Sequence, residues 1–292
     1  MYQLSKDQVI YAMDPTNPPA LTVAPNSRIE FETCDALSGQ ITSETDQFDA
    51  LDWNRINPAT GPVYVNGAEP GDILSVKIEQ IEIADVGITI TGKNMGVLGH
   101  LFEDTFIKVL PIQQDEAIFS EHIRLPLNKM IGVMGTAPKD TAISCGVPDL
   151  HGGNMDCKEI REGATILLPV NVPGGLLALG DLHAVMADGE ICVSGLEVAG
   201  TVTVTVDVIK GKTLPLPMIL TDTHVMALAS HEDLDVAVDT AVANMAAYLC
   251  EEHGFSKSEA AMLLSLAGDV RICQVVDPKK TIRVELCRRY IA

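Results

Sequence analysis

The chain has 292 residues, 47% of them apolar and 21% charged, enough to bury a sizeable core in one or two globular units and too apolar for a disordered tail. Acidic residues number 40 against 20 basic ones, a net charge of −20 that repels phosphate backbones and anionic lipid heads and argues against nucleic acid and membrane surfaces as partners. The 7 cysteines are an odd, widely spaced set without a Cys-x-x-Cys pair, which fits a reducing compartment better than a disulfide framework.

Residues 1–12 carry Lys6 and Asp7 and no apolar run of signal-peptide length, and nowhere does the chain hold about 18 uninterrupted apolar residues, so the sequence reads as a soluble cytoplasmic protein. Up to residue 70, Asn17-Pro-Pro19 and Gly61-Pro62 leave little room for helix and predict short strands joined by turns. After the Glu69-Pro-Gly-Asp72 turn, residues 73–83 alternate around Leu74, Val76 and Ile78 as a half-buried strand does. Further strands are predicted at 88–91 and 105–112, then a stretch rich in glycine and proline over 125–155. Apolar segments at 164–170, 190–193 and 201–209 read as more sheet, with a short strand over 182–186 and Asp188-Gly189 as the turn of a hairpin.

The period changes only after Ser230. Leu234, Val238, Ala241, Met245 and Leu249 recur every three or four residues, predicting a helix with Ser230 as its cap, Asp233 in its first turn and Gly254 as its stop. A second helix is expected from near Ser256 to Gly268, and a closing strand over 281–287. The fold class expected is mainly β: a β-sandwich-like body over residues 1–210 that carries the site, and a smaller α+β section over 211–292 with two helices.

Polar chemistry concentrates in two glycine-bearing pieces. In His151-Gly-Gly-Asn-Met-Asp156 the glycines allow a tight turn that aims an imidazole, an amide and a carboxylate at one centre. In Gly180-Asp-Leu-His183 the strand period of two puts Asp181 and His183 on one face as a chelating pair, with Glu190 close to His183 across the hairpin. Glu197 sits between Leu196 and Val198, where a carboxylate must be paired, metal-bound or protonated.

These pieces, together with Gly61-Pro-Val-Tyr-Val-Asn-Gly-Ala-Glu-Pro-Gly-Asp72 and the run from Ser265 to Asp277, are similar in order and spacing to the acetamidase/formamidase family over nearly the whole chain. The resemblance implies hydrolysis of short neutral amides to a carboxylate and ammonia, a homodimer or higher homo-oligomer, and a divalent metal, zinc in preference to calcium. Asp35 resembles a residue lining the family's site. The resulting expectation assigns His151, Asp156, Asp181, His183 and Asp35 to the metal. Glu190 and Glu197 are the candidate bases, with Glu190 ahead, and Asn154 is to hold the developing oxyanion. Two rivals share the motifs: a metal-dependent hydrolase of another small C–N substrate, and a calcium-dependent β-sandwich binding protein. Cys145 and Cys157 lack a neighbour that would activate a thiol. His100 and His224 are outlying site-wall candidates, and Trp53 is read as a packing anchor or dimer contact.

Overall fold

A computed structural model of the chain describes residues 1–291. Two large sheets face each other. The first has nine strands in the order Tyr2–Leu4, Ser27–Thr33, Gly200–Ile209, Ile73–Ile83, Thr165–Pro169, Met218–Leu220, His224–His231, Lys280–Cys287 and Gly268–Gln274. The second has eleven strands and runs from Arg124–Pro126 through Thr105–Gln113, Val86–Gly92, Glu197–Val198 and Leu177–His183 to Met130–Gly135 and Gly152–Asn154. Its Ala59–Val65 strand also pairs with Leu177–His183.

Alternation explains how the sheets meet. Along Gly200–Ile209, Val202, Val204 and Val206 enter the core shared with Ile29, Phe31 and Val76, while the intervening Thr205 turns outward and donates to Glu79 Oε1 at 2.6 Å. The second sheet contributes Val63, Ile131, Leu177, Leu179 and Leu182 to that core. The body is thus a β-sandwich, as the alternating runs predict. On the outer face of the first sheet, Val225, Ala227, Ile282, Val284 and Leu286 pack against helices α1 (Leu234–His253) and α2 (Lys257–Ala267). The smaller α+β region is therefore a third layer, and strands from both sides of residue 210 share one sheet.

The Ile73–Ile83 strand has the predicted bounds, and the last strand, Lys280–Cys287, starts one residue early. Three local expectations are corrected. Asp233, not Ser230, caps α1, its carboxylate accepting from Asp235 and Val236 N–H, whereas Ser230 lies in a strand and its hydroxyl meets Thr281 Oγ1 at 3.0 Å. Residues 190–193 form no strand, because Glu190 (φ 43°) and Val193 (φ 92°) have left-handed backbone. The strand placed at 182–186 is Leu177–His183 instead, and residues 184–196 form a long connection rather than a two-residue hairpin.

Candidate metal centre

The site lies where the second sheet changes phase. Leu177–His183 is buried along its whole length, between Met130–Gly135 on one side and Ala59–Val65 and Glu197–Val198 on the other. Strict alternation from Leu179 would send Asp181 into the sandwich core. Asp181 instead adopts φ 58°, Leu182 takes the core position, and Asp181 and His183 share the opposite face. Antiparallel pairing then sets Glu197 directly against His183. Asp156 follows the Gly152–Asn154 strand with φ 41°, and Glu190 hangs from the 184–196 connection. Left-handed backbone at three carboxylate residues is costly for non-glycine side chains and turns all three inward.

Bare positions make room for this. A Cβ on Gly132 would lie 2.4 Å from Asp156 Oδ1, and one on Gly195 would lie 2.5 Å from His183 Nδ1. Glycine at both positions is a requirement of close approach rather than of turn geometry.

The result is two overlapping trios, Asp156–His183–Glu190 and Asp181–His183–Glu197, each with one potential ligand atom per residue within 4.8 Å of the others. His183 Nε2 is 3.2 Å from Glu197, 3.3 Å from Asp181 and 3.8 Å from Asp156. All five side chains are buried, and Asp156 Oδ1, Asp181 Oδ1, Glu190 Oε2, Glu197 Oε2 and both His183 ring nitrogens find no aligned hydrogen-bond partner. Buried donors and acceptors are almost always satisfied, and isolated carboxylates are expensive to desolvate. So many converging orphans fit a bound cation, and the mixed imidazole and carboxylate set fits a divalent metal.

The electrostatics agree. Burial pushes Glu197 up to about 8 against the pull of His183, and raises Glu190 with help from the Asp156 charge. Burial also raises Asp156, and Asp277 beside it adds to the effect. Burial acts against a charged imidazole at His183, yet the facing Glu197 and Asp181 hold its pKa well above the usual value. Asp181 stays below its ordinary value because His183 and the amide of Asn57, which donates to Asp181 Oδ2 at 2.8 Å, outweigh burial.

Above the trios opens a cavity of about 210 Å³. Its floor is polar, with Asn154 and Asp277 beside the five clustered groups, and its walls are apolar, with Leu37, Phe48, Ile90 and Val193 among them. Trp53, 61% exposed, stands at the rim edge-on to Phe48, the ring centroids 5.2 Å apart.

Among the predicted site residues the structure brings together Asp156, Asp181, His183, Glu190, Glu197 and Asn154. It places His151 and Asp35 outside both trios and outside the cavity wall. The Asp35 carboxylate accepts from Leu37 N–H at 2.9 Å and from Gly39 N–H at 3.1 and 3.2 Å, so it is occupied in folding its own loop. The His151 ring packs near Gly153, and burial lowers its pKa to about 4, leaving it a neutral buried imidazole. His100 and His224 also lie off the cavity, and Cys145 is buried with its thiol pushed up to about 12. Asn57 and Asp277 were not singled out from the sequence. Asp277 closes the last of the quoted motifs, which is the one signal that could have marked it, and it accepts from Asn154 Nδ2 at 2.9 Å.

A two-sheet sandwich with a buried carboxylate and imidazole cluster built into one sheet is a fold with a candidate divalent-metal site. The chain belongs to the acetamidase/formamidase family, whose family model matches residues 5–145 and 141–286. It is similar to the acetamidase of Bacillus halodurans, with 46% identity and a TM-score of 0.97 over 99% of this chain and 98% of that one. It is also similar to a predicted acetamidase/formamidase from Thermoanaerobacter tengcongensis, with 49% identity and a TM-score of 0.97 over 99% of this chain and 96% of that one. The acetamidase of Mycolicibacterium smegmatis is 28% identical over 267 residues, 68% of this chain and 65% of that protein. The chain thus spans between 63% and 65% of the length of the curated relatives it matches. Among the described residues no helix is long and apolar enough to cross a membrane.

Proposed function

We propose that the chain is a metal-dependent amidohydrolase that cleaves small neutral amides to a carboxylate and ammonia. The observation that carries this reading is the pair of buried trios on His183 under a small cavity, in a chain of this family. Asp156, Asp181, His183 and Glu197 would hold the metal, with Glu190 beside it, and the imidazole in the donor set favours zinc over calcium. Such a metal, when bound, supplies a Lewis acid for the amide carbonyl and acidifies water.

The chain's own groups do the rest. Glu190, on the 184–196 connection, accepts the proton of the attacking water and returns it to the departing nitrogen, since an amide anion is too poor a leaving group to depart unprotonated. Glu197, held in register by the sheet, serves as ligand. Asn154 Nδ2 spends one N–H on Asp277 and has a second for the carbonyl oxygen as it gains charge. The apolar walls seat the acyl group and exclude water. Seven free thiols support a cytoplasmic setting.

The test is ammonia release from formamide, acetamide, propionamide and urea, before and after chelation and zinc restoration, with metal content measured on the same sample. Release falls on chelation and returns with zinc. Because each methylene buried on the apolar wall is worth about 0.8 kcal/mol, kcat/KM rises about fourfold per carbon from formamide to propionamide. Release that resists chelation overturns the metal reading.

Proton linkage offers a second check. Glu197 is protonated below about 8 and must lose that proton to act as a ligand. Raising the pH therefore strengthens metal binding, about tenfold per pH unit for each proton displaced; the Glu197 share of the gain ends as the pH passes about 8, and the raised His183 and Asp156 add their own. Calorimetry at neutral pH in two buffers of different ionisation enthalpy shows different heats; equal heats in both would contradict the linkage.

A further inference from the structure

The nine-stranded sheet ends on Gly268–Gln274, and among the described residues no strand pairs with the outer edge of its first five residues. Beyond them the edge is closed: Gly189 N–H donates to Cys273 O at 2.9 Å, and Val275 N–H donates to Gly189 O at 3.2 Å. An open edge presents unpaired N–H and C=O groups, and here it is bounded at both ends, by α2 before Gly268 and by the Gly189 bridge after Ile272.

The side chains around this edge are unusually apolar for free surface. Val270 is 46% exposed and Ile272 37% exposed on the strand, and Met262 is 58% and Leu266 86% exposed on the adjoining helix. Val270 and Ile272 lie opposite Val284 and Ile282, so they share the helix-side face. Asp269 and Arg271 occupy the other face and form an ion pair at 3.0 Å, both well exposed.

We propose that this edge pairs with the same edge of a second copy of the chain, antiparallel about a twofold axis at Val270. The free segment has five residues and Val270 is its middle, so centring there uses the whole edge. That register sets Asp269 opposite Arg271 of the partner subunit and Arg271 opposite Asp269 of the partner subunit, two cross-strand pairs of opposite charge. It also sets Ile272 opposite the bare Gly268 of the partner subunit. Centring one residue later would face arginine with arginine, and a half-step would face each charge with an apolar side chain. The sequence Gly-Asp-Val-Arg-Ile over 268–272 is thus self-complementary in size and charge in one register. The exposed Leu266 and Met262 flank the joint on the helix side, where apolar area is buried as the strands meet. The net charge of −20 acts over distance but is screened beyond about 8 Å at physiological salt, so the local pairs govern the contact.

Sedimentation equilibrium of the full chain tests this with three variants. The unaltered protein is a dimer, or a higher assembly containing this dimer. Arg271→Asp and Asp269→Arg each turn two attractive pairs into repulsive ones and raise the dimer dissociation constant about tenfold or more. The double variant Asp269→Arg/Arg271→Asp restores the pairs with their signs exchanged and recovers association. Both positions of change are exposed, and circular dichroism confirms that each variant is folded. A monomeric unaltered protein, association unaffected by the single reversals, or failure of the double variant to recover overturns the proposal.

Discussion

Replacing His183 by alanine is expected to remove bound metal and to lower ammonia release by at least about 100-fold, the scale on which residues that only support a metal ligand already act. The reason is geometric. Each trio has carboxylates of its own, Asp156 with Glu190 and Asp181 with Glu197, but both draw on the same imidazole. Loss of a carboxylate leaves one trio whole, whereas loss of His183 breaks both at once. The change also withdraws the group that faces Glu197, Asp181 and Asp156 within 3.8 Å, so the remaining carboxyls stay protonated to a higher pH and compete with any metal for their oxygens. Metal content by atomic emission and ammonia release on the same sample decide the matter. If both survive in His183→Ala, the trios are not the metal centre.

Much of this centre was legible because strand periodicity is short-range. Asp181 and His183, two residues apart, were placed on one face, and so they lie, although a left-handed Asp181 sets that face rather than simple alternation. The second helix, expected from near Ser256 to Gly268, is α2, and its start is fixed by a local contact, the capping box of Ser256 with Glu259. What failed to show was anything fixed by distant partners. The opposition of Glu197 to His183 is a matter of register across a connection of thirteen residues, 184–196, and no turn motif announces it. Asn57 reaches Asp181 from a segment 124 residues earlier, and Asp277 reaches Asn154 from 123 residues later. Asp35, which resembles a residue lining the family's site, stands outside both trios, and its carboxylate accepts from Leu37 and Gly39 N–H in its own turn.

Asp188 is the other residue whose meaning lay in a remote partner, and its replacement by alanine is expected to be among the most destabilising single changes in the chain. Asp188 reads as a turn residue, yet its two oxygens accept from Arg283 Nη1 at 2.6 Å and Nη2 at 3.0 Å, and Lys158 Nζ lies 2.9 Å away. The Arg283 side chain is 1% exposed and cannot shed its charge. Removing the bidentate partner would leave a buried guanidinium with Glu285 as its one charged partner and the Cys273 thiol, 3.7 Å from Nη1, as a weak one. Such a break costs about 3–5 kcal/mol when both groups are buried, and the partial exposure of Asp188 argues for the lower end, about 3 kcal/mol. The effect should also reach the metal centre. Asp188 and Gly189 tie the 184–196 connection to the C-terminal strands, Gly189 by backbone bonds to residues 273 and 275, and Glu190 is the next residue along. Asp188→Ala therefore loosens Glu190 and lowers ammonia release about 10- to 100-fold, as loss of a supporting contact does. Asp188→Asn keeps the shape and half the hydrogen bonding and should fall between. Urea unfolding of the metal-loaded proteins measures the first effect and ammonia release the second. A stability within about 0.5 kcal/mol of the parent, the range of an ordinary surface substitution, would mean that Arg283 finds another partner and that this ion pair does not hold the connection in place.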